Sequence, residues 1–259
     1  MKKFIPLLLA LLMFAACLAG CGTAEKTDSQ YIREKGTLII GITDYAPMDY
    51  KDENGDWTGF DAEFARLFGE KLGVEVEFFL LADWNQKFYE LEAKNIDAVW
   101  NGMTISEEVL LNTNCSKPYV INAQVVVMKE AVVGNYPDTA SLTGLKFAVE
   151  SGSVGEDALQ ELGITDYIAL QDQASALMEV AAGTAEACVI DITMANAMTG
   201  PGTGYPDLVG GVRLTEEEYG VGFRKDSDLT EKFNQVMEEL MADGTLDALA
   251  EKYNLTLVK

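Results

Sequence analysis

The sequence predicts an α/β protein built as two lobes, each with a central, mostly parallel sheet flanked by helices. Two observations lead to this prediction. First, apolar runs of strand length alternate with segments of helical periodicity from about residue 31 onward. Second, this alternation occurs twice, as two β-α-β-α-β units of similar length. Two segments in corresponding places of these units have similar sequences, YELEAKNIDAVW at 89–100 and MEVAAGTAEACVI at 178–190.

The first unit is predicted from short apolar runs separated by one amphipathic helix. That helix begins at Phe60 and is stopped by Gly73, with Phe64 and Phe68 among the residues on its apolar face. The elements in order are a strand at Thr37–Thr43, a helix at Phe60–Leu72, a strand at Val74–Phe79, a helix at Trp84–Lys94 and a strand at Ile96–Trp100.

The second unit repeats this order and is followed by a tail. Its elements are a strand at Leu145–Val149, a helix at Val154–Leu162, a strand at Tyr167–Leu170, a helix at Ala174–Ala182 and a strand at Ala187–Ile190. The tail adds a strand at Tyr219–Arg224 and helices at Leu229–Met241 and Leu246–Tyr253. These helices have no partner strands of their own, so they must pack on an existing lobe.

The N-terminal segment has the composition of a secretory signal peptide. Two lysines precede an apolar run from Phe4 to Ala19, which is too short to span a bilayer comfortably. The run closes with Leu-Ala-Gly and Cys21, which resembles the bacterial lipobox. That resemblance predicts a signal peptide at 1–20 and a lipid anchor on Cys21; the alternative is an ordinary cleaved leader. Residues 21–30 are small and polar and are predicted to be a flexible tether.

Charge and composition exclude several classes of function. Beyond residue 20 the chain has 17 basic and 42 acidic residues, a net charge of −25, so nucleic acid is not expected as a partner. The absence of histidine removes the commonest general base and the usual zinc ligand, and no cofactor or metal is expected. Cys115 and Cys188 have no metal-ligand spacing and are expected to be buried thiols, with a disulfide as the alternative.

An ordered set of motifs resembles the polar amino-acid family of extracytoplasmic solute-binding proteins of ABC transporters. The motifs include GTLIIGITDYAPM at 36–48, GFDAEFARLFGEKLG at 59–73, NIDAVWNGMTISEE at 95–108, SKPY at 116–119 and EYGVGFRKD at 218–226. The resemblance implies a type II periplasmic-binding-protein fold with crossover strands near 121–126 and 213–220. Lobe one would hold 31–121 plus 220–259, and lobe two 125–215.

The resemblance also implies a ligand pocket between the lobes. Tyr45 and Trp84 match the family's aromatic walls; the alternatives are a turn residue and a side chain packed over a lobe edge. Asp191 matches the acid that binds a ligand amino group, and it is also positioned to cap a helix. Asn101 and Gln124 are weaker candidates. The full set of predicted ligand-binding residues is Tyr45, Trp84, Asn101, Gly102, Thr104, Glu150, Ser153 and Asp191.

One position departs sharply from the family pattern. The family binds the ligand carboxylate with a hydroxyl, which Thr104 matches, and with an arginine five residues later, where this chain has Val109. Glu150 stands where the family often has a neutral residue; it is either a pocket acid or a solvated charge at a strand end. The expected ligand is therefore an amine, an amino-acid derivative, or an amino acid whose carboxylate relies on Thr104 and helix amides.

These features favour a monomeric, lipid-anchored binding protein outside the bacterial cell membrane that delivers a small molecule to an ABC permease. The first alternative is a periplasmic enzyme of the cyclohexadienyl-dehydratase type on the same fold, with a carboxylate such as Glu150 as the acid. The second is a sensory receptor domain, which would need a separate signalling partner.

Overall fold

The computed structural model describes residues 26–259 and contains two five-stranded sheets flanked by helices. In each sheet four of the five strands run in the same direction, which confirms the predicted α/β architecture with two mostly parallel sheets. No helix in this part of the chain is long and apolar enough to cross a bilayer. The predicted signal peptide and the anchor at Cys21 lie outside the described residues.

Lobe one is organised around the first of these sheets. Its strands are β1 (Thr37–Ile42), β4 (Glu75–Leu80), β5 (Ala98–Val99), β6 (Asn114–Cys115) and β14 (Gly222–Phe223), with the small hairpin β2 (Tyr50–Lys51) and β3 (Trp57–Thr58). The order across the sheet is β4-β1-β5-β14-β6. The helices are α1 (Asp28–Lys35), α2 (Phe60–Leu72), α3 (Lys87–Glu92), α4 (Glu107–Asn112), α9 (Leu229–Ala242) and α10 (Thr245–Lys252). A 3₁₀ turn at Trp84–Gln86 leads into α3.

Lobe two is organised around the second sheet. Its strands are β8 (Gln124–Lys129), β9 (Phe147–Glu150), β10 (Tyr167–Leu170), β11 (Ala187–Asp191) and β12 (Leu208–Arg213). The order across this sheet is β10-β9-β11-β8-β12. The helices are α5 (Glu130–Val133), α6 (Val154–Glu161), α7 (Gln173–Ala182) and α8 (Ile192–Met198), with a 3₁₀ turn at Thr139–Leu142.

Two short strands connect the lobes and pair with each other. These are β7 (Val120–Asn122) and β13 (Glu217–Tyr219), which run antiparallel in the register Tyr219↔Val120. The segment 256–258 lies on the other side of β7: the Ile121 amide donates to the Thr256 carbonyl at 2.9 Å, and the Val258 amide to the Tyr119 carbonyl at 3.0 Å. The hinge therefore has backbone hydrogen bonds on both sides of β7.

An aromatic cluster holds the tail helices on lobe one. The Phe233 ring of α9 lies 4.9 Å from that of Trp100 and 5.4 Å from that of Phe68, in edge-to-face geometry. Each buried ring of this size removes a large apolar area from water, and edge-to-face pairs add about 0.5–1.5 kcal/mol beyond that burial. The tail helices therefore pack on lobe one. This agrees with the prediction that helices without partner strands of their own must pack on an existing lobe.

The structure corrects two sequence predictions. Helix α1 begins at Asp28, inside the predicted tether at 21–30, because Thr27 and Gln30 form a capping box and the Ser29 amide donates to Asp228 at 2.9 Å. The predicted strand at Tyr219–Arg224 is two strands, β13 and β14. It is interrupted because the chain leaves the hinge at Gly220 and enters the sheet of lobe one.

The two cysteines lie in different lobes, Cys115 on β6 and Cys188 on β11, and both are free thiols. Cys188 is fully buried and Cys115 partly so. Burial raises the pKa of the Cys115 thiol to about 11, so this thiol is unreactive at neutral pH.

Candidate functional site

The predicted site residues lie at the carboxyl ends of strands, which face each other across the gap between the lobes. Tyr45 follows β1, Gly102 and Thr104 follow β5, and Glu150 and Asp191 end β9 and β11. Parallel strands present their carboxyl ends at one sheet edge, where open α/β sheets bind ligands. All eight predicted residues line one cavity between the lobes: Tyr45, Trp84, Asn101, Gly102, Thr104, Glu150, Ser153 and Asp191.

The lobes are closed on each other around this cavity. Asn85 Nδ2 donates to the Ser151 hydroxyl at 3.0 Å, and the Thr43 hydroxyl lies 3.4 Å from Glu150 Oε1, both across the gap. The cavity has a volume of about 40 Å³, which is room for a few water molecules. A larger ligand therefore enters only after the lobes separate.

Asp191 lies at the centre of a buried network of amides. Gln124 Nε2 donates to its Oδ1 at 2.8 Å, and Asn122 and Gln173 donate to the same carboxylate. Burial raises the pKa of Asp191 to about 7, and the nearby Glu217 carboxylate adds to the rise. Although its backbone starts α8, its side chain makes no capping hydrogen bond to that helix. The carboxylate is therefore directed to the site instead of the helix terminus.

Glu217, on the crossover strand β13, forms hydrogen bonds with residues that line the cavity, and the sequence reasoning missed it. It accepts from Thr104 Oγ1 at 2.8 Å, from Asn122 Nδ2 at 3.0 Å and from Gln124 Nε2 at 3.1 Å. The predicted carboxylate-binding hydroxyl of Thr104 is thus paired with an acid in this closed structure. An acidic residue in a linker resembles an ordinary solvated charge, so the sequence offered no signal for it.

Glu150 is buried, with 4% of its surface exposed, so it is not the solvated strand-end charge that was the alternative. Burial raises its pKa to about 8, with further contributions from Asp191 and Asp172. The carboxyl group therefore holds a proton at neutral pH in the closed structure. The cleft consequently contains less negative charge than its residue content indicates.

Asn101 and Gly102 form the turn that follows β5, and two buried acids, Asp49 and Asp61, hold this corner in place by accepting hydrogen bonds from it. The Asn101 carboxamide accepts from the Thr43 amide at 2.9 Å and donates to Asp49 at 2.8 Å, and the Gly102 amide donates to Asp61 at 2.6 Å. Both amide hydrogens of Asn101 have protein acceptors, since the second donates to the Thr43 carbonyl at 3.1 Å. In this structure Asn101 orients the corner, and a direct ligand contact by its side chain stays a prediction.

The remaining predicted residues combine cavity lining with structural contacts. The Ser153 hydroxyl caps α6 by accepting from the Glu156 amide at 3.2 Å, and it donates to the Glu150 carbonyl at 2.8 Å. Trp84 is 8% exposed, lines the cavity and belongs to an apolar cluster that includes Val109, while its contact with a ligand stays a prediction. Val109 itself is buried in that cluster and contributes no polar group.

The gap also contains residues that only the folded chain brings together. Gln173 follows Asp172, the side-chain cap of α7, and Gln173 Oε1 accepts from the Asp191 backbone amide at 2.8 Å. Lys87 lines the cavity from α3, three residues after Trp84, a spacing that places both side chains on one helical face. The helical periodicity could have identified this shared face, but not that it borders the other lobe.

Residues 38–256 match the family of bacterial extracellular solute-binding proteins, family 3. The chain belongs to this family. The L-cystine-binding protein TcyJ of Escherichia coli K12 is 30% identical over 247 residues, 93% of this chain and 92% of that protein. The arginine-binding extracellular protein ArtP of Bacillus subtilis is 30% identical over 262 residues, 98% of each chain.

A solved structure of similar fold comes from a reconstructed ancestral protein. The ancestral amino acid-binding protein AncCDT-1, a precursor of cyclohexadienyl dehydratase, superposes with a TM-score of 0.79 at 31% identity, covering 87% of this chain and 98% of that one. These matches confirm the resemblance that the sequence motifs indicated. All three proteins are named as binding proteins.

Proposed function

We propose that this protein is the ligand-capturing component of an ABC importer and that it binds an amino acid or a closely related amine between its lobes. In this proposal it works as a monomer outside the cell membrane, held there by a lipid on Cys21, and transfers its ligand to a permease. The ligand class is supported by relatives named for binding L-cystine and arginine, which both carry an α-ammonium group.

The observation that carries the proposal is the position of Asp191 in the closed gap. A carboxylate that is 3% exposed and surrounded by three amide donors is ready to accept a cationic nitrogen when the ligand replaces water. Binding of an ammonium group favours the charged form of a carboxyl whose pKa burial has raised to about 7. The predicted aromatic walls, Tyr45 and Trp84, line the same cavity.

A thermal-shift screen tests this proposal. The purified protein is melted with each of the twenty standard L-amino acids, L-cystine, L-ornithine and simple diamines at pH 7.5. A ligand present at a hundred times its dissociation constant stabilises the fold by about 2.7 kcal/mol, which is a shift of several degrees. If no compound in the panel raises the melting temperature, the proposed ligand class is wrong.

The alternative of a dehydratase is supported by the likeness to a precursor of cyclohexadienyl dehydratase and by a buried, protonated Glu150 in the gap. Incubation with prephenate or arogenate and measurement of aromatic product separates the two functions. We expect no product, because the named relatives and the ancestral structure are all binding proteins.

A further inference from the structure

Lys87 is a buried cation in the wall of the gap. Only 3% of its surface is exposed, and it lines the same cavity as Thr104, Ser106 and Val109. Lysine is almost never fully buried unless a partner compensates its charge. Its place in the site therefore needs a partner of opposite charge.

The protein supplies only part of that compensation. The Lys87 ammonium lies 3.5 Å from the Gly152 carbonyl, at the outer limit of a hydrogen bond, and 5.0 and 4.7 Å from the ring centroids of Trp84 and Phe88. Among residues 26–259, no carboxylate oxygen lies within 4.0 Å of it. An ammonium has three donors, and within the described chain at most one of them has a protein acceptor.

Acidic side chains near Lys87 oppose the effect of its burial. Burial is the larger effect and lowers the pKa of Lys87, while the charges of Glu108, Asp157 and Asp83 favour its ammonium form. Glu150 holds its own proton at neutral pH, so it does not neutralise Lys87 in the closed structure. The Lys87 amino group therefore has hydrogen-bond donors left for a ligand anion.

The position of Lys87 also differs from that of Asp191. The hydrogen-bond partners of Asp191 are Gln173 and residues of the crossover, Asn122 and Gln124, whereas the partner of Lys87 is the backbone of Gly152. The two side chains thus line one cavity without a hydrogen-bond partner in common. A zwitterionic amino acid has an ammonium group that can pair with Asp191 and a carboxylate that can pair with Lys87.

We infer that Lys87 binds the α-carboxylate of the ligand and supplies the positive charge that Val109 does not. This inference rests on the proposed function. Of the three kinds of ligand expected from the sequence, an amine, an amino-acid derivative or an amino acid, it selects the zwitterionic amino acid and adds Lys87 to the groups that bind its carboxylate. It also explains a buried lysine that would otherwise be desolvated without a sufficient partner.

The experiment compares each amino acid of the screen with its α-amide, which keeps the side chain and ammonium but has no negative charge. Dissociation constants are measured by calorimetry for the wild type, Lys87→Met, Lys87→Arg and Lys71→Met. Lys71 is a matched control, since it is an exposed lysine of lobe one paired with Glu239 outside the gap. Thermal melts without ligand verify that every variant is folded.

We expect the wild type to bind the acid at least about thirtyfold more tightly than the amide, and Lys87→Met to lose that preference. Lys87→Arg should retain a preference for the acid, and Lys71→Met should behave as the wild type. The inference is overturned if the wild type binds acid and amide equally, or if Lys87→Met keeps the preference; in both cases the proposed binding function still stands. If no amino acid binds the wild type, the proposed function fails and this inference fails with it.

Discussion

The phenol oxygen of Tyr45, in lobe one, lies 2.5 Å from the hydroxyl oxygen of Thr193, in lobe two. Both hydroxyls also contact the hydroxyl of Tyr219, which belongs to the crossover strand β13. Three hydroxyls from the two lobes and the hinge thus meet in one buried cluster. Tyr45, predicted as an aromatic wall, also connects the lobes directly.

Tyr45→Phe should shift the ligand-free protein towards an open arrangement, because it removes the hydroxyl that joins the lobes. A neutral hydrogen bond contributes about 1 kcal/mol, so ligand affinity should fall about fivefold. X-ray scattering should show a larger radius of gyration without ligand and a wild-type value at saturation. Tyr253→Phe is the control, since that hydroxyl contacts Glu63 within lobe one; equal scattering of both variants would contradict the role of Tyr45.

Gly152→Ala should hinder closure. A Cβ at Gly152 would lie 2.1 Å from Asn85 Oδ1 across the gap, so Asn85 must rotate and lose its hydrogen bond to Ser151. We expect about five- to tenfold weaker ligand binding by calorimetry.

The chain offers a matched control for this substitution. Gly163 has the same φ of +71°, but a Cβ at this position would have no other atom within 4 Å, so Gly163→Ala has the same backbone strain without the clash. In an Asn85→Ala background the substitution at Gly152 should have little further effect on affinity. A loss of the same size at Gly163 would show that strain, not closure, is responsible.

Asp191→Asn should weaken binding of a cationic ligand by a factor of at least about thirty, because removing one partner of a buried charged pair costs about 2–5 kcal/mol. In the wild type, affinity should also fall as pH drops below about 7, where the unliganded carboxyl takes up a proton. The variant should lack this pH dependence in calorimetric titrations. Asp207→Asn, an exposed position of lobe two, should match the wild type.

The stability of the unliganded protein should fall as pH rises from about 4.5 to about 8. Burial raises the pKa of Glu150 from its ordinary 4.5 to about 8, so the folded chain holds a proton that the unfolded chain releases. Asp61 and Asp191, whose pKa values are raised to about 7, act in the same direction. Glu150→Gln should make the decline shallower in urea denaturation series, whereas Glu161→Gln, at an exposed position, should leave it unchanged.

Cys21→Ala should abolish labelling with a radioactive or clickable fatty acid in a bacterial host. Two or three acyl chains, at about 0.8 kcal/mol per buried CH₂, hold a soluble domain on a membrane, so the variant should be released or stay unprocessed. Cys115→Ala is the control and should be labelled as the wild type. Persistent lipid on the Cys21 variant would exclude the anchor.

The sequence was sufficient for elements with clear boundaries and strong periodicity. Helix α2 has the predicted bounds Phe60–Leu72, because Gly59 and Gly73 flank it with positive φ and its apolar face is continuous. The predicted site residues line one cavity because most of them lie at or after the carboxyl ends of strands, and these ends meet between the lobes.

What the sequence did not reveal depends on contacts between distant segments. Lys87 reaches the other lobe at Gly152, and helical periodicity carries no information about that contact. Glu217 gains its role from Asn122 and Thr104, which are distant in the chain. The division of the strand at Tyr219–Arg224 is likewise a consequence of tertiary packing, with Ile105 and Cys115 crowding Gly220.

The pairing of segment 256–258 with β7 attaches the end of the described chain to the crossover between the lobes. Because Thr256 and Val258 form backbone hydrogen bonds with residues in or beside the crossover, a rotation of the lobes about the crossover would also move the end of the described chain. A fluorophore attached beyond Lys259 would sit beside the crossover and report rotation without touching the ligand. The same attachment point would let an engineered partner domain stiffen or loosen the hinge, which makes closure adjustable from outside the site.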